Sequence, residues 1–590
     1  MAGLPAAKRF TLVLIKPSHY DDDGYVIQWV RSSIPSNTLA ALYGLAADSA
    51  ERNILGADTV IDIIPIDETN TRITPKKIAA LIDAAGGQGM VGLVGVQSNQ
   101  YPRALDIARQ LRALGQQVVI GGFHVSGCLS MLSGVHASLQ EALDMGCSLY
   151  AGEAEDRLDE VLLDASRREL RPVYNYMKEL PGIESTPPPF LPKVRVNRVA
   201  GGYGSFDAGR GCPFQCSFCT IINVQGRKSR HRSPDDVERI IRDNIAQGVM
   251  RFYITDDNFA RNKDWEPIFD RIIHLREVEK LKIKFVIQVD TMCHKLPNFI
   301  EKAGRAGVTR VFIGMENINP ENLIAAKKRQ NKITEYRTML LAWKKARAIT
   351  YVGYILGFPA DTPESIVRDI KVVQRELPID VLEFFCLTPL PGSEDHQKLS
   401  REGVAMDPDL NKYDLDHVVT GHAKMSQAEW EKTYELAWNT YYTPEHFETV
   451  MRRAAASRIS IGNVLALMLW FYHCILYEGV HPLEGGFLRR KYRADRRPGL
   501  PREAALGFWA RYTREMAVKH WGAAKMLWRY ERVRRRIKND PNRLTYMDTA
   551  MHPVEDNEDE TLDLLTQTDA ARAAVVHMRK VERLTAGARA

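Results

Sequence analysis

Two series of short apolar segments, each followed by a helix-sized stretch, cover most of the first 425 residues. The first series runs from residue 10 to residue 153 and the second from residue 203 to residue 388. Strands that alternate with helices predict parallel sheets, because a parallel connection needs a crossover. Ligands of such sheets bind at the carboxyl ends of the strands. We therefore expect an α/β fold whose functional residues lie in the loops that follow the strands.

The first series predicts a doubly wound, Rossmann-like domain over residues 1–183. Stretches such as "YPRALDIARQLRALG" between its strands have helical character. A proline-rich stretch, "ESTPPPFLP", follows and predicts a linker over residues 184–200. The strand-like segments of this series are 10–17, 59–67, 92–98, 117–124 and 148–153.

The second series predicts a partial (β/α)6 barrel over residues 201–424, because its six strands fall short of the eight of a closed barrel. From about residue 425 the pattern is helical, which predicts an α-helical domain over residues 425–550. Residues 551–590 are acidic and then polar, and we expect a loosely ordered tail there. The strand-like segments of the second series are 203–209, 250–257, 284–290, 310–316, 351–358 and 380–388.

Composition narrows the class of protein. A net charge of +7 on 590 residues does not by itself indicate nucleic acid. The N-terminus lacks the apolar region and cleavage site of a signal peptide. The longest apolar run, within Val464–Leu476, is shorter than the roughly 20 residues of a bilayer span and is expected in a core. Eight scattered cysteines do not suggest a disulfide framework, so we expect reduced thiols and a cytoplasmic protein.

Two basic stretches that include aromatic residues, 489–497 and 529–538, lie in the helical region. A solvated helix face is the expected interpretation. Contact with anionic lipid headgroups, a phosphorylated substrate or nucleic acid are the alternatives. The sequence gives no strong evidence for nucleic acid, and peripheral membrane contact stays open.

Three of the eight cysteines crowd into "GRGCPFQCSFCTI", residues 209–221. Cys212, Cys216 and Cys219 have the spacing C-x3-C-x2-C. A structural zinc site usually has four ligands, and no CxxC or histidine pair lies nearby to complete one. Three thiolates can instead hold a [4Fe–4S] cluster whose fourth iron binds another ligand. The loop directly follows the strand that opens the second series, where active sites of barrel folds collect.

This loop resembles the signature of the radical S-adenosylmethionine (SAM) superfamily, in which an aromatic residue, here Phe218, precedes the last cysteine. The resemblance implies that the three cysteines are the metal ligands and that the open iron chelates SAM. One electron from the cluster would cleave SAM to a 5′-deoxyadenosyl radical. A reductase, flavodoxin or ferredoxin would supply that electron. Hydrogen-atom abstraction requires no side-chain base, so the catalytic residues stay unassigned.

The ends of the later strands in the second series also resemble this superfamily. The segments are "ITDDNF", "IGMENINP", "GYILGFP" and "LTPLPGS", and the first departs from the common Gly-Gly-Glu form. The resemblance implies SAM contacts at Phe218, Asp256, Asp257, Gln288, Glu316, Gly357 and Leu387.

The remaining cysteines, including Cys128, Cys147 and Cys474, are expected to be buried apolar residues. Cys293 and Cys386 lie near strand ends.

Residues 1–183 resemble the cobalamin-binding domain of B12-dependent radical SAM enzymes. The segments "GGFH" and "GEAE" match its Gly-Gly-x-His and Gly-Glu-x-Glu motifs. The domain has no G-x-G-x-x-G motif, which argues against a dinucleotide as its ligand. The loop "KPSHYDDDGYV" departs from the Asp-x-His-x-x-Gly motif, so His19 is not assigned as a cobalt ligand. The resemblance implies cobalamin contacts at Ser98, Tyr101, Gly121, Gly122, His124, Gly152 and Glu153.

The combined resemblance implies methylation of an unactivated carbon, by radical hydrogen abstraction and methyl transfer from methylcobalamin. An oxidative cyclase or a rearrangement enzyme with the same cofactors is the alternative, and a non-catalytic cobalamin or iron–sulfur sensor is a third. We expect a small-molecule substrate between the two sets of strand ends. Neighbouring apolar and basic features favour an apolar or lipid-like one. Tyr20 and Tyr354 are candidate substrate-side residues, with ordinary packing as the alternative.

Overall fold

The computed structural model describes residues 8–134, 136–553 and 561–587, and its two largest sheets each contain six strands. All strand pairings within these two sheets are parallel. The predicted α/β class is therefore confirmed. The strands are β1 (Lys8–Lys16), β2 (Gln28–Ser32), β3 (Thr59–Asp67), β4 (Gly89–Leu93), β5 (Val118–Gly121), β6 (Ser148–Ala151), β7 (Val173–Asn175), β8 (Tyr203–Phe206), β9 (Gly209–Arg210), β10 (Arg230–His231), β11 (Arg251–Ile254), β12 (Lys284–Val289), β13 (Val308–Glu316), β14 (Ile349–Leu356), β15 (Val381–Cys386) and β16 (Gly486–Arg490).

The first sheet has the strand order β3-β1-β4-β5-β6-β7. The chain moves to one side of β1 and then to the other, so the loops after β1 and β4 diverge and leave a crevice for a ligand. Successive side chains of a strand point to opposite faces. Val13 and Ile120 accordingly belong to one hydrophobic cluster, and Leu12 and Val119 to another. Both faces of the sheet are covered, as expected for a doubly wound arrangement.

The second sheet has the order β8-β11-β12-β13-β14-β15, so each strand lies beside the next one in the chain. Its outer strands are β8 and β15, which makes the sheet open. Because the strands are parallel, all six carboxyl ends lie at one edge. A short antiparallel pair, β9 and β10, lies beside the loop that carries the three cysteines.

Helices connect the strands and fill the C-terminal third of the chain. The longest, with 35 residues, is α19. The helices are α1 (Asn37–Glu51), α2 (Pro75–Ala84), α3 (Tyr101–Ala113), α4 (Phe123–Met131), α5 (Ala137–Asp144), α6 (Leu158–Arg167), α7 (Lys193–Val196), α8 (Ile221–Val224), α9 (Pro234–Ala246), α10 (Trp265–Glu277), α11 (Phe299–Ala306), α12 (Pro320–Ala325), α13 (Tyr336–Lys345), α14 (Pro363–Glu376), α15 (Glu394–Arg401), α16 (Gln427–Tyr441), α17 (Pro444–Ala456), α18 (Ile461–His473), α19 (Ala505–Asn539), α20 (Asp563–Thr566) and α21 (Asp569–Gly587).

The C-terminal part of the chain returns to the first sheet through β16, which pairs antiparallel with β2. Trp29 of β2 is fully buried, and its indole N–H donates to the Glu484 carbonyl at 2.9 Å. The guanidinium of Arg489 lies 5.0 Å from the centre of the Trp29 ring. Residues 480–490 therefore form a strap over the segment that joins β1 to α1. No local feature of the sequence predicted this pairing.

One helical stretch, Ile461–Glu478, is long and apolar enough to cross a membrane by length and composition, among the residues that the structure describes. It comprises α18 and a following π-helical turn. Val464, Leu465 and Met468 of α18 belong to the main hydrophobic core. That face of the helix has the core role expected from the sequence.

The C-terminal residues 561–587 correct the expectation of a loosely ordered tail. They include α20 and α21, and Leu564, Leu565 and Val575 are buried in the main core. The backbone N–H of Leu564 donates to the Glu376 carboxylate at 2.8 Å. Polar composition hid a helix that buries Ala571 and Val575, although Val576 and Leu584 of the same helix are exposed. The acidic run 555–560 lies outside the described residues.

Candidate functional site

The loops after the six strands of the second sheet meet at one edge and carry the residues expected at the cluster and SAM sites. The cysteine loop follows β9, and the remaining positions follow or end β11 to β15 in order. Parallel strands bring these positions together even though the chain separates them widely. In strand order they are Cys212, Cys216, Phe218 and Cys219, then Asp256 and Asp257, Gln288, Glu316, Gly357 and Leu387.

The three cysteines lie in one irregular loop between β9 and α8. Cys216 is buried, whereas Cys212 and Cys219 are half-buried. Burial raises the pKa of the Cys212 thiol and raises that of Cys219 to about 12. Among the described residues, no group of three or more His, Cys, Asp and Glu side chains is arranged to hold a metal ion. Because burial raises the pKa of the Cys212 and Cys219 thiols, they need a positively charged partner in order to ionise near neutral pH.

A lysine that sequence reasoning missed lies against this loop. Lys328 is buried, pairs with the Glu316 carboxylate, and places its Nζ 5.8 Å from the centre of the Phe218 ring. Burial alone would lower the pKa of Lys328, but the charges of Glu316 and Cys216 outweigh it and raise that pKa. Two residues on, Gln330 Nε2 donates to Cys216 Sγ at 3.4 Å. The polar run "KKRQN" was the only signal in the sequence.

Asp256 and Asp257 are neighbours in sequence but have different surroundings. The Asp256 carboxylate is buried and accepts from the Ala208 N–H at 2.7 Å and from Asn262 Nδ2 at 3.1 Å. It therefore joins the loops after β8 and β11. Asp257 is half-buried, and its charge acts on the Cys219 thiol. Burial raises the pKa of both carboxyl groups to about 7. The structure brings Asp257, and not Asp256, to the cysteine loop.

An apolar wall lies beside the cysteine loop. Phe218 and Leu387 pack against a small buried cluster that includes Phe358. Gly357, between them in the fold, has φ +101°, and an added Cβ would lie 1.8 Å from the Trp430 ring. The glycine predicted at this strand end is thus required by backbone conformation and by Trp430. The wall is apolar, and its Phe218 and Phe358 rings meet edge to face at an angle of 62°.

The carboxyl edge of the first sheet opens onto a cavity of about 1110 Å³ between the sheet, α1 and α6. Gly121, Gly122, Gly152 and Glu153 are among the residues that line it. Gly122 has φ +145°, and a Cβ there would lie 2.1 Å from the Val96 nitrogen. Only glycine fits at this position, which lets the turn after β5 pack closely against the Val96 backbone.

His124 and Tyr101 lie beneath this edge rather than on a cavity wall. His124 is fully buried, with Nδ1 3.1 Å from Ser98 Oγ and Nε2 3.0 Å from Ser138 Oγ. The Tyr101 ring lies 4.2 Å from the imidazole. Burial lowers the pKa of His124 to about 3, so the ring is neutral. Their arrangement positions Ser98, which does line a cavity; direct cofactor contact by His124 or Tyr101 stays a prediction.

The motif "GEAE" joins the two sheets through Arg210, the residue two positions before Cys212. Arg210 donates to Glu153 Oε2 and Glu155 Oε1, each at 2.6 Å, and to Asp207 Oδ2 at 3.0 Å. Burial alone would lower the pKa of Arg210, but the three carboxylates raise it well above its usual value. Glu153, expected as a cofactor contact, is thus also an ion-pair partner that anchors the cysteine loop.

A second cavity, of about 1560 Å³, separates the carboxyl edges of the two sheets. Ser98 lines it from the first sheet. Thr220 and Ile221, directly after Cys219, line it from the second sheet together with Pro391, and Glu484 lines it from the strap. Residues from three distant parts of the chain therefore enclose one space that reaches the cysteine loop.

His19 lies in the wall of this second cavity. Its Nε2 is 3.1 Å from Glu484 Oε2, and Asn99 Nδ2 donates to Glu484 Oε1 at 3.0 Å. Burial alone would lower the pKa of His19, but the nearby Glu484 carboxylate outweighs burial and raises it. One of the two ring nitrogens of His19 is therefore engaged by a carboxylate. Sequence reasoning missed Glu484, because nothing near it in sequence marks it.

A second histidine bridges loops from both halves of the chain. His417 Nδ1 lies 2.8 Å from Asp414 Oδ2, and its Nε2 lies 3.1 Å from Asp22 Oδ1. Hydrogen bonds to Asp22 and Asp414 raise the pKa of His417 to about 11. The imidazolium thus joins the loop after β1 to the loop after β15.

The two tyrosines considered as substrate-side residues are packed. Tyr354 is fully buried in the main core. Tyr20 is buried, and its hydroxyl donates to Asp106 Oδ2 at 2.7 Å. Neither lines the two cavities described above. The five cysteines outside the loop are buried as well: Cys128, Cys147, Cys293, Cys386 and Cys474.

Comparison with known proteins identifies the segment around the cysteine loop. Residues 208–373 match the family model of the radical SAM superfamily. The protein contains a radical SAM domain. It is 27% identical over 321 residues to a bacteriochlorophyllide d C-12(1)-methyltransferase of Chlorobaculum tepidum, covering 53% of this chain and 66% of the relative. It is 24% identical over 405 residues to a hopanoid C-2 methylase of Rhodopseudomonas palustris, covering 67% and 72%. The chain thus spans about two thirds of the length of these relatives.

Solved structures share the fold of this protein. TsrM from Kitasatospora setae, a radical SAM methyltransferase with cobalamin and a [4Fe–4S] cluster bound, matches with a TM-score of 0.55 and 15% identity. The match covers 74% of this chain and 90% of TsrM. OxsB, a cobalamin-dependent SAM radical enzyme, matches with a TM-score of 0.50 and 13% identity over 92% of this chain and 82% of OxsB. These comparisons confirm the family predicted from the cysteine loop and the strand ends.

The cysteine loop fits the cofactors that the radical SAM domain implies, a [4Fe–4S] cluster and SAM. Three thiols within one loop supply the cysteine ligands that such clusters use. Lys328 adds a buried cation whose charge favours the thiolates. The wall of Phe218 and Leu387 is apolar. The donor set and its surroundings therefore match the chemistry of the group.

Proposed function

We propose that this radical SAM enzyme uses cobalamin to methylate an unactivated carbon of a small molecule. One observation carries the proposal: the carboxyl edges of two parallel sheets face one cavity, and the cysteine loop lies on one side of it. Ser98 marks the first edge, and Thr220, beside Cys219, marks the second. A substrate in that space would contact both edges at once. The methyltransferase relatives and the TsrM fold support the same conclusion.

In this proposal, Cys212, Cys216 and Cys219 hold the cluster, and Lys328 places a positive charge near them. The predicted SAM contacts then divide by position. Asp257 and Gln288 lie on the polar side, and the salt-bridged Glu316 joins them. On the other side, Phe218 and Leu387 face the adenine, and Gly357 shapes the turn beside them. Asp256 would contact SAM only through its backbone, because its carboxylate already accepts hydrogen bonds from Ala208 and Asn262.

We infer that cobalamin lies along the carboxyl edge of the first sheet. The cavity lined by Gly121, Gly122 and Gly152 would take the nucleotide tail, because its wall is largely apolar and its glycines allow close approach. Ser98, held by His124 and Tyr101, would face the corrin. His19 stays outside the set of cobalt ligands, since Glu484 engages its Nε2.

The proposed domain layout follows from these placements. Residues 1–183 form the Rossmann-like cobalamin-binding domain, 184–200 the linker and 201–424 the partial (β/α)6 barrel. Residues 425–550 form the helical domain, and 551–590 the segment after it. The linker packs closely on the first domain, since the Phe190 N–H donates to the Ala40 carbonyl at 3.0 Å.

When bound, the cofactors would supply a 5′-deoxyadenosyl radical and a transferable methyl group. The residues of the chain position the substrate between them and exclude water. An apolar or lipid-like substrate fits a cavity bounded by Ile27, Ile221 and Leu390. A reductase, flavodoxin or ferredoxin would provide the electron. Eight cysteines without disulfides fit a reducing, cytoplasmic setting.

The test is anaerobic reconstitution of the full-length protein with iron, sulfide, hydroxocobalamin, SAM and a reductant. We expect bound cobalamin in near-stoichiometric amount and release of 5′-deoxyadenosine. Cys216→Ala should lose both the cluster absorbance and 5′-deoxyadenosine, while it retains cobalamin. Cys128→Ala, which removes a buried thiol outside the loop, is the matched control and should retain all three. Purified protein that takes up the cluster but no cobalamin would refute the proposal.

Labelled SAM separates the reactions that share these cofactors. With methyl-deuterated SAM, cell extracts should yield a product that carries the label. A product that instead gains oxygen from labelled water would identify the oxidative cyclase. The cyclase alternative is supported by a relative: the chain is 24% identical over 284 residues to an anaerobic magnesium-protoporphyrin IX monomethyl ester cyclase of Synechocystis. Binding of both cofactors without cleavage of SAM would identify a sensor.

A further inference from the structure

The outward side of α19 exposes more large apolar surface than a solvated helix needs. Trp521 is 74% exposed and Trp528 is 66% exposed, and Leu506 and Trp509 are exposed as well. Elsewhere in the chain, tryptophans such as Trp343 are fully buried. Large exposed apolar patches on a folded protein mark sites of interaction.

Trp521 and Trp528 lie on one face of α19 because of their spacing. Positions 514, 518, 521, 525, 528 and 532 follow each other at intervals of four and three, which places them in one stripe along a helix. The opposite face holds the helix against the protein: Tyr530 stacks on Phe447 at 4.1 Å, and a Cβ on Gly522 would lie 2.3 Å from the Tyr477 ring. The stripe is therefore fixed toward solvent. Its members, all exposed, are Arg514, Val518, Trp521, Lys525, Trp528 and Arg532.

The cations of this stripe are not used by the fold. Among the described residues, Arg514 and Lys525 have no ion pair or side-chain hydrogen bond, whereas Lys519 on the inner side pairs with Glu478 at 2.6 Å. The Arg532 guanidinium lies 4.9 Å from the centre of the Trp528 ring. Acidic residues are absent from the stripe. Its charge is thus available to an anionic partner.

Positive charge is concentrated around α19. Residues 486–538 contain seventeen Lys and Arg against four Asp and Glu, a net charge of +13, whereas the whole chain carries +7. The remainder of the chain is therefore net negative. Such an asymmetry favours one orientation of the molecule toward an anionic surface.

We propose that the outer face of α19 is a membrane-interface surface that docks on an anionic lipid bilayer. Tryptophan is enriched at the level of the lipid headgroups, and Lys and Arg pair with anionic headgroups. A helix that carries both on one face lies in the interface plane. Arg514, Lys525 and Arg532 recur along the stripe, so α19 rests on the bilayer and does not cross it. At 35 residues the helix is about 52 Å long, which gives a broad contact.

The strap extends this surface toward the substrate cavity. Tyr512 of α19 donates its hydroxyl to the Arg489 carbonyl at 3.0 Å. Phe487, two residues earlier, is 56% exposed, and Leu483 and Glu484 line the second cavity. The proposed membrane surface and the cavity rim therefore belong to one continuous segment.

Flotation with lipid vesicles tests the proposal, and it needs neither turnover nor a known substrate. The full-length reconstituted protein is mixed with vesicles of phosphatidylcholine alone or with phosphatidylglycerol added. We expect binding to the anionic vesicles that weakens as salt is raised. Tryptophan fluorescence should shift to the blue on binding. Because the readout is binding alone, failure of the methylation proposal would not affect it.

Two pairs of variants assign the binding to the stripe. Arg514→Glu with Lys525→Glu should weaken binding by about 30-fold or more, at roughly fivefold per cation lost. Lys280→Glu with Lys282→Glu, an exposed pair in the loop after α10, should leave it unchanged. Trp521→Ser with Trp528→Ser should abolish the fluorescence shift, whereas Ile324→Ser, equally exposed, should not. Circular dichroism of each variant confirms that it is folded.

Several outcomes would overturn the proposal. Equal binding to neutral and anionic vesicles, or none to either, would do so. Binding to RNA without binding to vesicles would assign the stripe to nucleic acid. Concentration-dependent dimers that the tryptophan substitutions dissolve, without vesicle binding, would assign it to a second copy of the chain.

Discussion

His19 Nε2 lies 3.1 Å from Glu484 Oε2, so the loop after the first strand is joined to a strap that follows it by most of the length of the chain. The pair lies in the wall of the cavity between the two sheets. A ring nitrogen in the sequence position of a cobalt ligand is thereby held by a carboxylate. Through this pair, the C-terminal strap forms part of the cavity wall.

Glu484→Gln should lower the pKa of His19, because burial then acts without the opposing carboxylate. The folded pKa of His19 is raised, so the contribution of the pair to stability is complete below the unfolded pKa of about 6.5 and declines as pH rises through the folded value. The variant should therefore be less stable than the native protein at pH 6, by about 1–3 kcal/mol. Histidine NMR and urea unfolding at pH 6 and pH 9 measure this. An equal difference at both values would contradict it.

His417 should make stability fall with rising pH in the alkaline range. Hydrogen bonds to Asp22 and Asp414 raise its pKa to about 11 in the folded state. The unfolded chain loses this proton from about pH 6.5 upward, so the free energy of unfolding decreases between that pH and about 11. His417→Gln should flatten this slope, which urea unfolding at a series of pH values will show. His520→Gln, at an exposed position, is the control and should preserve the slope.

Arg210→Met should destabilise the protein by about 3–5 kcal/mol, because it leaves the buried Glu155 carboxylate without its cation, whereas Asp207 retains Arg232 at 3.6 Å. Arg305→Met removes an ion pair that is half exposed on both sides and should cost about 0–1 kcal/mol. Denaturant unfolding of both variants provides the comparison. Similar small losses in the two would show that the carboxylates near Arg210 find other partners.

Lys328→Gln should weaken retention of the cluster, because a buried cation beside the thiols is lost while Glu316 remains. Removal of such outer partners typically lowers metal affinity about 10–100-fold. The adjacent Lys327→Gln breaks only an exposed pair with Glu394 and should behave like the native protein. Iron loss to a chelator, followed by absorbance, measures the difference. Identical loss from both variants would remove Lys328 from the site.

Gly357→Ala should destabilise the fold by about 2–5 kcal/mol. The residue has φ +101°, and the new methyl group would meet the Trp430 ring at 1.8 Å. Gly403→Ala, at φ +66° with no atom within 4 Å of the new group, isolates the backbone contribution and should cost about 1–2 kcal/mol. Thermal unfolding of the two variants separates packing from strain. Equal losses would mean that Trp430 moves aside.

The sequence predicted eleven of the twelve strands of the two large sheets because each is encoded locally, although the segment 92–98 shares only two residues with β4. The segment 59–67 coincides with β3, and 284–290 differs from β12 by a single residue. The cysteine loop was equally accessible, since its ligands lie within eight positions. Short peripheral strands such as β7 and β16 have no comparable apolar run and were missed.

What the sequence did not reveal are contacts between distant segments. Glu484, Lys328 and Arg210 acquire their partners only when the fold brings separate loops together. Glu153 shows the same limit: its motif was visible, but its ion pair with Arg210 was not. The C-terminal helices were mistaken for a tail, because composition averages over a segment in which a few residues, such as Leu564, Leu565 and Val575, are buried.

The pairing of β16 with β2 sets an order of events during synthesis. At about 5–20 residues per second, the ribosome needs roughly 15–50 s to extend the chain from the cysteine loop to the strap. Throughout that interval the nascent chain has both sheet edges but no Glu484 to cover them. The strap is therefore the last part of the cavity wall to be synthesised.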